Sequence, residues 1–162
     1  MRALVAVAIL LAAGCASVRD LEPGRSTSAD VQAVLGKPVE ERSRPDGETW
    51  FYYSRQPFGR KMFVGRFGAD GKLIAVEQRL SEEYIAKLIP NYSRKEDVHA
   101  LFGPPYESLV FPRLDREVWS WHMRQFGDLP VGLHVQMSPD GVVREVYLLD
   151  EGRGGERRKH AR

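Results

Sequence analysis

Apolar positions along the chain follow two spacings, one typical of helices and the other of strands. Within residues 31–35, and again within residues 98–102, apolar side chains lie at i, i+3 and i+4, which places them on one face of a helix. Gly36 and Gly103 follow directly, and in each case a proline stands two residues later. Glycine permits the backbone turn that ends a helix and proline cannot continue one, so both helices are expected to end at these glycines.

The starts of both helices are marked as well. Thr27 with Asp30, and Ser93 with Glu96, have the spacing of a capping box, in which side chains bond the first free N–H groups of a helix. Clustered apolar positions also predict a short additional helix over residues 81–89.

Runs with strand character follow each helix. They span residues 48–55, 61–67 and 73–79 in the first half of the chain, and residues 117–124, 131–137 and 143–149 in the second half. An Asp-Gly pair, at residues 70–71 and 140–141, separates the last two runs of each set. Because Asp-Gly favours the positive backbone angles of a tight hairpin, these carboxylates are expected to be structural rather than catalytic.

The two halves of the chain match each other in order. Four residues recur 67 positions later, namely Pro23, Val31, Gly36 and Pro38. Trp50 recurs as Trp119, and such ordered matches indicate a repeated structural unit. The predicted fold is therefore α+β, with tandem modules over residues 22–80 and 81–150. Each module is expected to pack one or two helices on an antiparallel sheet of three or four strands.

Strand alternation assigns the aromatic side chains to opposite faces of each sheet. Trp50 and Tyr52 match Trp119 and Trp121, so these four are predicted to lie in the cores. The other face differs in chemistry between the halves, which suits a surface adapted to a partner, and aromatic and arginine side chains carry much of the energy of interfaces. The predicted partner-binding residues are Phe51, Tyr53, Arg55, Arg60, His122 and Arg124. The alternative is that they are ordinary exposed positions or line the contact between the modules.

The N-terminus has the pattern of an export signal. Arg2 precedes an apolar run and small residues that lead to Cys15, the one cysteine of the chain. The run is shorter than the ~20 residues that span a bilayer, so residues 1–14 are predicted to be a signal peptide. The residues around Cys15 resemble the lipobox of bacterial lipoproteins, which implies lipid on Cys15 and a lipidated linker over residues 15–21. An ordinary signal peptide that ends in a chance cysteine is the alternative.

Charge and the distribution of reactive side chains argue against several functions. The formal net charge is +2, which gives no indication of nucleic-acid binding. The four histidines are scattered, and neither a nucleophile motif nor a phosphate-binding loop is present, so we predict no metal, no cofactor and no enzymatic activity. Residues 151–162 are basic and rich in glycine and are predicted to be a disordered tail. This tail either only aids solubility or contacts anionic lipid headgroups.

Three segments carry a resemblance to a known family. Residues 31–38 (VQAVLGKP), 49–56 (TWFYYSRQ) and 70–73 (DGKL) resemble, in the same order, the SmpA/OmlA family of BamE-like outer-membrane lipoproteins. The resemblance implies a lipid anchor in the outer membrane, facing the periplasm. Ala16, where an aspartate would favour the inner membrane, agrees with that location. Subunits of the β-barrel assembly machinery and anionic phospholipid are the implied partners.

Members of that family have one copy of the module, whereas two tandem copies are reminiscent of the β-lactamase inhibitor proteins. The predicted function is a lipid-anchored periplasmic binding protein that assists assembly or maintenance of outer-membrane β-barrel proteins. The alternative is an inhibitor-like or envelope-associated protein-binding module unrelated to barrel assembly.

Overall fold

The structure, a computed structural model, describes residues 17–125 and 127–151. Its helices are α1 (Ser28–Leu35), α2 (Glu82–Ile85) and α3 (Lys95–Phe102), with single 3-10 turns at Val18–Asp20 and Pro112–Leu114. Its strands are β1 (Glu40–Ser43), β2 (Thr49–Ser54), β3 (Met62–Phe67), β4 (Leu73–Gln78), β5 (Glu107–Phe111), β6 (Arg116–Gln125), β7 (Leu129–Met137) and β8 (Val143–Asp150). The predicted signal peptide, Cys15 and residues 152–162 of the predicted tail lie outside the described residues.

The strands form two antiparallel sheets, each preceded by a helix. Sheet 1 has the order β1-β2-β3-β4 and follows α1, and sheet 2 has the order β5-β6-β7-β8 and follows α3. The predicted α+β fold of two helix-and-sheet units is therefore confirmed. All six predicted strands are present, and the two that were not predicted, β1 and β5, lack the alternation of apolar and polar residues. Only Glu82–Ile85 of the predicted helix 81–89 is helical.

The start of α1 is capped as predicted, and the start of α3 lies one residue later than predicted. The Thr27 N–H donates to Asp30 Oδ2 at 2.7 Å. In α3 the corresponding bond runs from the Arg94 N–H to Asp97 Oδ2 at 2.8 Å. The Ser93 hydroxyl instead accepts a hydrogen bond from the backbone of the preceding turn at 2.9 Å. In both units an acidic residue thus satisfies a free N–H at the helix start.

Two hydrophobic cores hold the molecule together. The outer core lies between α1 and sheet 1 and contains Val31, Phe51, Tyr53, Phe67 and Leu73. The central core is larger and takes residues from both units; its most buried large side chains include Tyr52, Met62, Leu80, Phe102, Trp121, Met123, Leu133 and Met137. The two sheets therefore share one core rather than standing as separate domains.

Helix α3 makes contacts with both sheets in the central core. The Phe102 ring lies 5.6 Å from the Trp121 ring of sheet 2, and the Tyr52 hydroxyl of sheet 1 donates to a backbone carbonyl of α3 at 3.3 Å. His99 Nε2 lies 2.9 Å from a carboxylate oxygen of Glu40 in β1. Burial lowers the pKa of His99 below its ordinary value, although the charge of Glu40 acts in the opposite direction. His99 is therefore expected to be neutral at neutral pH.

The prediction that Phe51 and Tyr53 lie on an exposed face is wrong. Of the predicted core residues, Tyr52, Trp119 and Trp121 are buried and Trp50 is half-buried. Phe51 and Tyr53, on the opposite face of β2, are only 8% and 3% exposed. The physical reason is that sheet 1 is covered on both faces, by α1 on one and by α3 with the second unit on the other.

The residue of sheet 1 that matches Trp119 in sequence is not the one that occupies the equivalent place in the sheet; the two differ by one position along β2. Phe51 lies opposite Gly65 in sheet 1, whereas Trp119 lies opposite Val135 in sheet 2. Gly65 and Val135 occupy equivalent places, because each also lies opposite a valine of the last strand in its sheet. Phe51, not Trp50, is therefore the structural counterpart of Trp119. A shift of one residue turns a side chain to the other face of the sheet, so Trp50 and Trp119 lie on non-equivalent faces of their sheets, although both pack in the central core.

The contact between the units predicts unequal costs for two similar glycine substitutions. Gly36 and Gly103 end α1 and α3 with positive φ of 85° and 67°. A Cβ on Gly103 would lie 2.6 Å from Tyr52 Cδ1, whereas a Cβ on Gly36 would meet no atom within 4 Å. Gly36→Ala is expected to lower the free energy of unfolding by about 1–3 kcal/mol, because φ 85° with ψ −167° is a backbone conformation that is essentially restricted to glycine. Gly103→Ala is expected to cost about 1–3 kcal/mol more, because the units must move apart. Urea denaturation of both variants measures the difference, and equal costs would contradict the close approach of the units.

Candidate functional site

A cleft opens at the end of β2, on the face of sheet 1 that α1 covers. It has a volume of about 480 Å³ and is bounded by the last turn of α1, by residues 55–61 that join β2 to β3, and by the turn between β6 and β7. We call it the β2–β3 cleft. Its walls come from both units, because Arg124 and Asp128 of the second unit line it together with residues of the first.

The floor of the β2–β3 cleft is apolar. Val34 and Leu35 from α1 lie beside Tyr53 and Phe63 from sheet 1. Phe58 also lines the cleft and is 96% exposed, the largest exposure among the large apolar side chains described. An apolar floor with a few polar groups at its edge is the common composition of a ligand-binding cavity, and exposed aromatic rings are frequent anchors of interfaces.

The edge of the cleft is positively charged. The basic residues that line it are Arg55, Arg60, Lys61 and Arg124, and the acidic residue that lines it is Asp128. Arg124 Nη1 donates to the Asp128 carboxylate at 2.8 Å, and Arg60 pairs with Glu151. Arg55 and Lys61 form no ion pair within the described residues. The cleft therefore carries uncompensated positive charge.

Hydrogen bonds at the edge of the cleft join the two units. The Gln56 side chain donates to the carbonyl oxygen of His122 at 2.6 Å and accepts from the His122 N–H at 2.9 Å. Glu151, the first residue of the predicted tail, bonds both Arg60 and His122 and is thus fixed against the fold. Partial burial would raise the pKa of Glu151, but hydrogen bonds from Arg60 and His122 together hold it below the ordinary value.

The Gln56 contact shows that part of β6 lacks a neighbouring strand. The pairing of β5 with β6 ends at Ser120, and the Gln56 side chain takes the place of a strand at His122. Beyond this point, at Arg124, a residue that lines the cleft, this side of β6 has no strand partner among the described residues.

Tyr53 contributes a polar group to the apolar floor. The residue is 3% exposed, and its hydroxyl has no hydrogen-bond partner within the part of the chain that the structure describes. Burial, with a smaller contribution from Glu41, raises the pKa of Tyr53 to about 12. The hydroxyl therefore stays protonated. A buried polar group without a partner is costly to the fold.

The histidines of sheet 2 lie outside the cleft. His122 stacks on Tyr106 with ring centroids 4.1 Å apart. His134 Nδ1 lies 2.9 Å from the Ser120 hydroxyl, and burial lowers the pKa of His134 below its ordinary value. Among residues 17–125 and 127–151, no group of three or more His, Cys, Asp or Glu could hold a metal ion.

The structure brings together four of the six predicted partner-binding residues, Tyr53, Arg55, Arg60 and Arg124, in the β2–β3 cleft. His122 lies next to the cleft and is linked to it through Glu151. Phe51 is separate from this group, because it is buried under α1 in the outer core. Binding of a partner by the five residues in or beside the cleft stays a prediction.

Sequence analysis missed three features of the site. Phe58 lies between the predicted strands 48–55 and 61–67, where alternation gives no face, and Lys61 is the first residue of the second of these strands. The signal for Phe58 is its position between Pro57 and Gly59, since an aromatic residue in such a turn has no core to enter. Glu151 gave no signal, because its partners are distant in the sequence.

The described helices are all short. None of them combines the length and the apolar character that crossing a membrane requires.

A comparison with known families finds a match in the first unit. Residues 15–76 match the family model described as the outer membrane protein assembly factor BamE domain. The resemblance to BamE-like proteins is thereby confirmed for the segment that includes α1 and most of sheet 1. The match covers less than half of the chain and ends before α2. No curated protein matches the chain.

Two solved structures resemble the chain over most of its length. One is a DUF4309 family protein (YjgB) from Bacillus subtilis, with 19% identity and a TM-score of 0.32, covering 81% of this chain and 82% of that one. The other is an extracellular protein containing an SCP domain from Bacillus anthracis, with 13% identity and a TM-score of 0.33. That match includes 93% of this chain and 49% of the Bacillus anthracis protein. At these scores neither structure bears on function.

The Glu151 contacts predict a pH-dependent contribution to stability. Because the folded pKa of Glu151 is lowered, its contribution is complete above pH 4.5, the ordinary value, and is lost as pH falls through the lowered pKa. Thermal melts from neutral pH to below pH 4.5 should therefore show a smaller loss of Tm in Glu151→Gln than in the unmodified chain. Glu83→Gln, an exposed carboxylate paired with Lys87, is the control. Equal acid sensitivity in the unmodified chain and Glu151→Gln would show that these contacts do not hold in solution.

Proposed function

We propose that this chain is a lipid-anchored periplasmic protein of the outer membrane that assists assembly or maintenance of β-barrel outer-membrane proteins by binding a protein partner. The observation that carries this proposal is the BamE assembly-factor domain at residues 15–76. The match begins at Cys15, the predicted lipidation site, which agrees with a chain that is anchored immediately before its first domain.

Binding rather than catalysis is supported by the character of the β2–β3 cleft. The cleft combines an apolar floor, unpaired cations at Arg55 and Lys61, and the exposed ring of Phe58. These groups supply hydrophobic contact and charge, which are what an interface needs. We place the partner contact at this cleft, with Arg60, His122 and Arg124 at its edge. Anionic phospholipid is a second proposed contact of the basic residues.

A second candidate is an envelope-associated binding module unrelated to barrel assembly. The observation that favours it is the edge strand β5, which lies in the second unit, outside the BamE match. Its residues Leu109, Val110 and Phe111 are 44%, 68% and 42% exposed. An exposed apolar edge strand can pair with an extended segment of another protein. A partner held mainly by β5 would favour this second function.

The partner is identified by photocrosslinking from position 58 of the full-length protein in its native outer membrane. A photoreactive phenylalanine analogue at Phe58 is expected to crosslink to subunits of the β-barrel assembly machinery, because this ring projects from the cleft. The same analogue at Arg113, an exposed residue before β6, is the control. Phe58→Ala should reduce recovery of the partner while changing the free energy of unfolding by less than about 0.5 kcal/mol. Recovery of a different envelope protein would support the second candidate and contradict the first.

The anchor is tested separately by Cys15→Ala. Without the thiol no lipid can be attached, so the variant is expected to leave the membrane fraction and to lose incorporation of labelled fatty acid. Membrane fractionation and lipid labelling measure the two effects. If the variant still fractionates with the outer membrane, lipid on Cys15 is not what holds the protein there.

A further inference from the structure

We infer that the β2–β3 cleft binds an acidic, extended peptide segment, with its carboxylates at Arg55 and Lys61 and an apolar side chain on the floor. This inference rests on the proposed function in taking the partner to be a protein. It goes further in stating the chemistry of the bound segment.

The positive edge of the cleft indicates an anionic occupant. Arg55 and Lys61 line the same cleft as Tyr53 and carry charges that no described carboxylate neutralises. Arg60 and Arg124 are already paired with Glu151 and Asp128. The free cations are therefore those of the first unit, close in sequence to Tyr53. An arginine and a carboxylate form charge-assisted hydrogen bonds, which are stronger than neutral ones and have a defined geometry.

The open part of β6 indicates a peptide rather than a lipid. Beyond Ser120 this strand has lost β5 as its neighbour, and Gln56 bonds the N–H and C=O of His122 in the manner of a paired strand. Arg124 is two residues further along the same side of β6 and lines the cleft. An extended peptide can use main-chain groups at such an edge, whereas an acyl chain cannot. The apolar floor then receives one of its side chains, since alternate residues of an extended segment point the same way.

The inference is tested with a fluorescent peptide, acetyl-Asp-Phe-Asp-Phe-Asp-amide, titrated into the purified full chain and followed by anisotropy. Saturable binding is expected. The matched peptide with lysine in place of aspartate should not bind, and the one with serine in place of phenylalanine should bind more weakly. Equal binding of all three peptides, or binding of the lysine peptide alone, would overturn the inference.

Protein variants locate the binding. Arg55→Glu is expected to lower the affinity for the acidic peptide by about tenfold or more. Arg113→Glu makes the same charge change beyond the other end of β6, ~25 Å from the cleft, and should have no effect on peptide binding. Tyr53→Phe removes a hydroxyl that is buried in the outer core and should leave peptide binding unchanged, while Tm stays the same or rises because an unpaired buried group is lost. Unchanged peptide affinity in Arg55→Glu would overturn the inference.

Vesicles separate a peptide from a lipid occupant. Cys15→Ala protein, which lacks the predicted anchor, is sedimented with vesicles of phosphatidylcholine, with and without phosphatidylglycerol. Arg55-dependent sedimentation with phosphatidylglycerol vesicles, without peptide binding, would assign the cleft to lipid and overturn the inference. Peptide binding together with failure of the Phe58 crosslinking experiment would support the cleft chemistry and refute the proposed partner. Crosslinking without peptide binding would support the proposed function and refute the acidic segment.

Discussion

The packing of α3 against both sheets is the constraint on which the rest of the molecule depends. A unit of one helix and four strands is small, so it buries little apolar surface and is only marginally stable by itself. Sharing a core with a second unit increases the apolar surface that both units bury. Here Phe102 faces Trp121 in sheet 2 while Tyr52 of sheet 1 bonds the backbone of α3. Gly103 has no side chain where Tyr52 makes its closest approach. The helix that belongs to the second unit by sequence order is therefore structural for both.

Because α3 covers one face of sheet 1, that sheet has apolar side chains on both faces and α1 covers the other. Phe51 is buried by this second layer, but the end of β2 extends past the last turn of α1. The β2–β3 cleft forms at that point, where Tyr53 is still buried and Arg55 is exposed. The second unit closes the cleft through Arg124, so the site requires both units.

The family match and the site lie mostly in the first unit, and the second unit modifies them. The segment that matches the BamE model, residues 15–76, includes Tyr53, Arg55 and Phe58 of the cleft. The second unit adds the wall at Arg124 and, through Glu151, a fixed position for Arg60. It also covers the face of sheet 1 that contains Tyr52. The proposed binding site is therefore formed by the segment that resembles BamE together with a second unit that the family match does not include.

Local chemistry in the sequence determined the elements, and long-range packing decided the faces. The glycines that end α1 and α3, the Asp-Gly turns and six of the eight strands were predictable, since each depends on residues that are neighbours in the chain. Arg55, Arg60 and Arg124 were also predictable as a charged group. The burial of Phe51 and the register that pairs it with Gly65 were not, because alternation gives two faces of a strand without saying what covers each. Only the placement of α3 between the sheets determines that, and it depends on contacts between residues about fifty positions apart, such as that of Tyr52 with the α3 backbone.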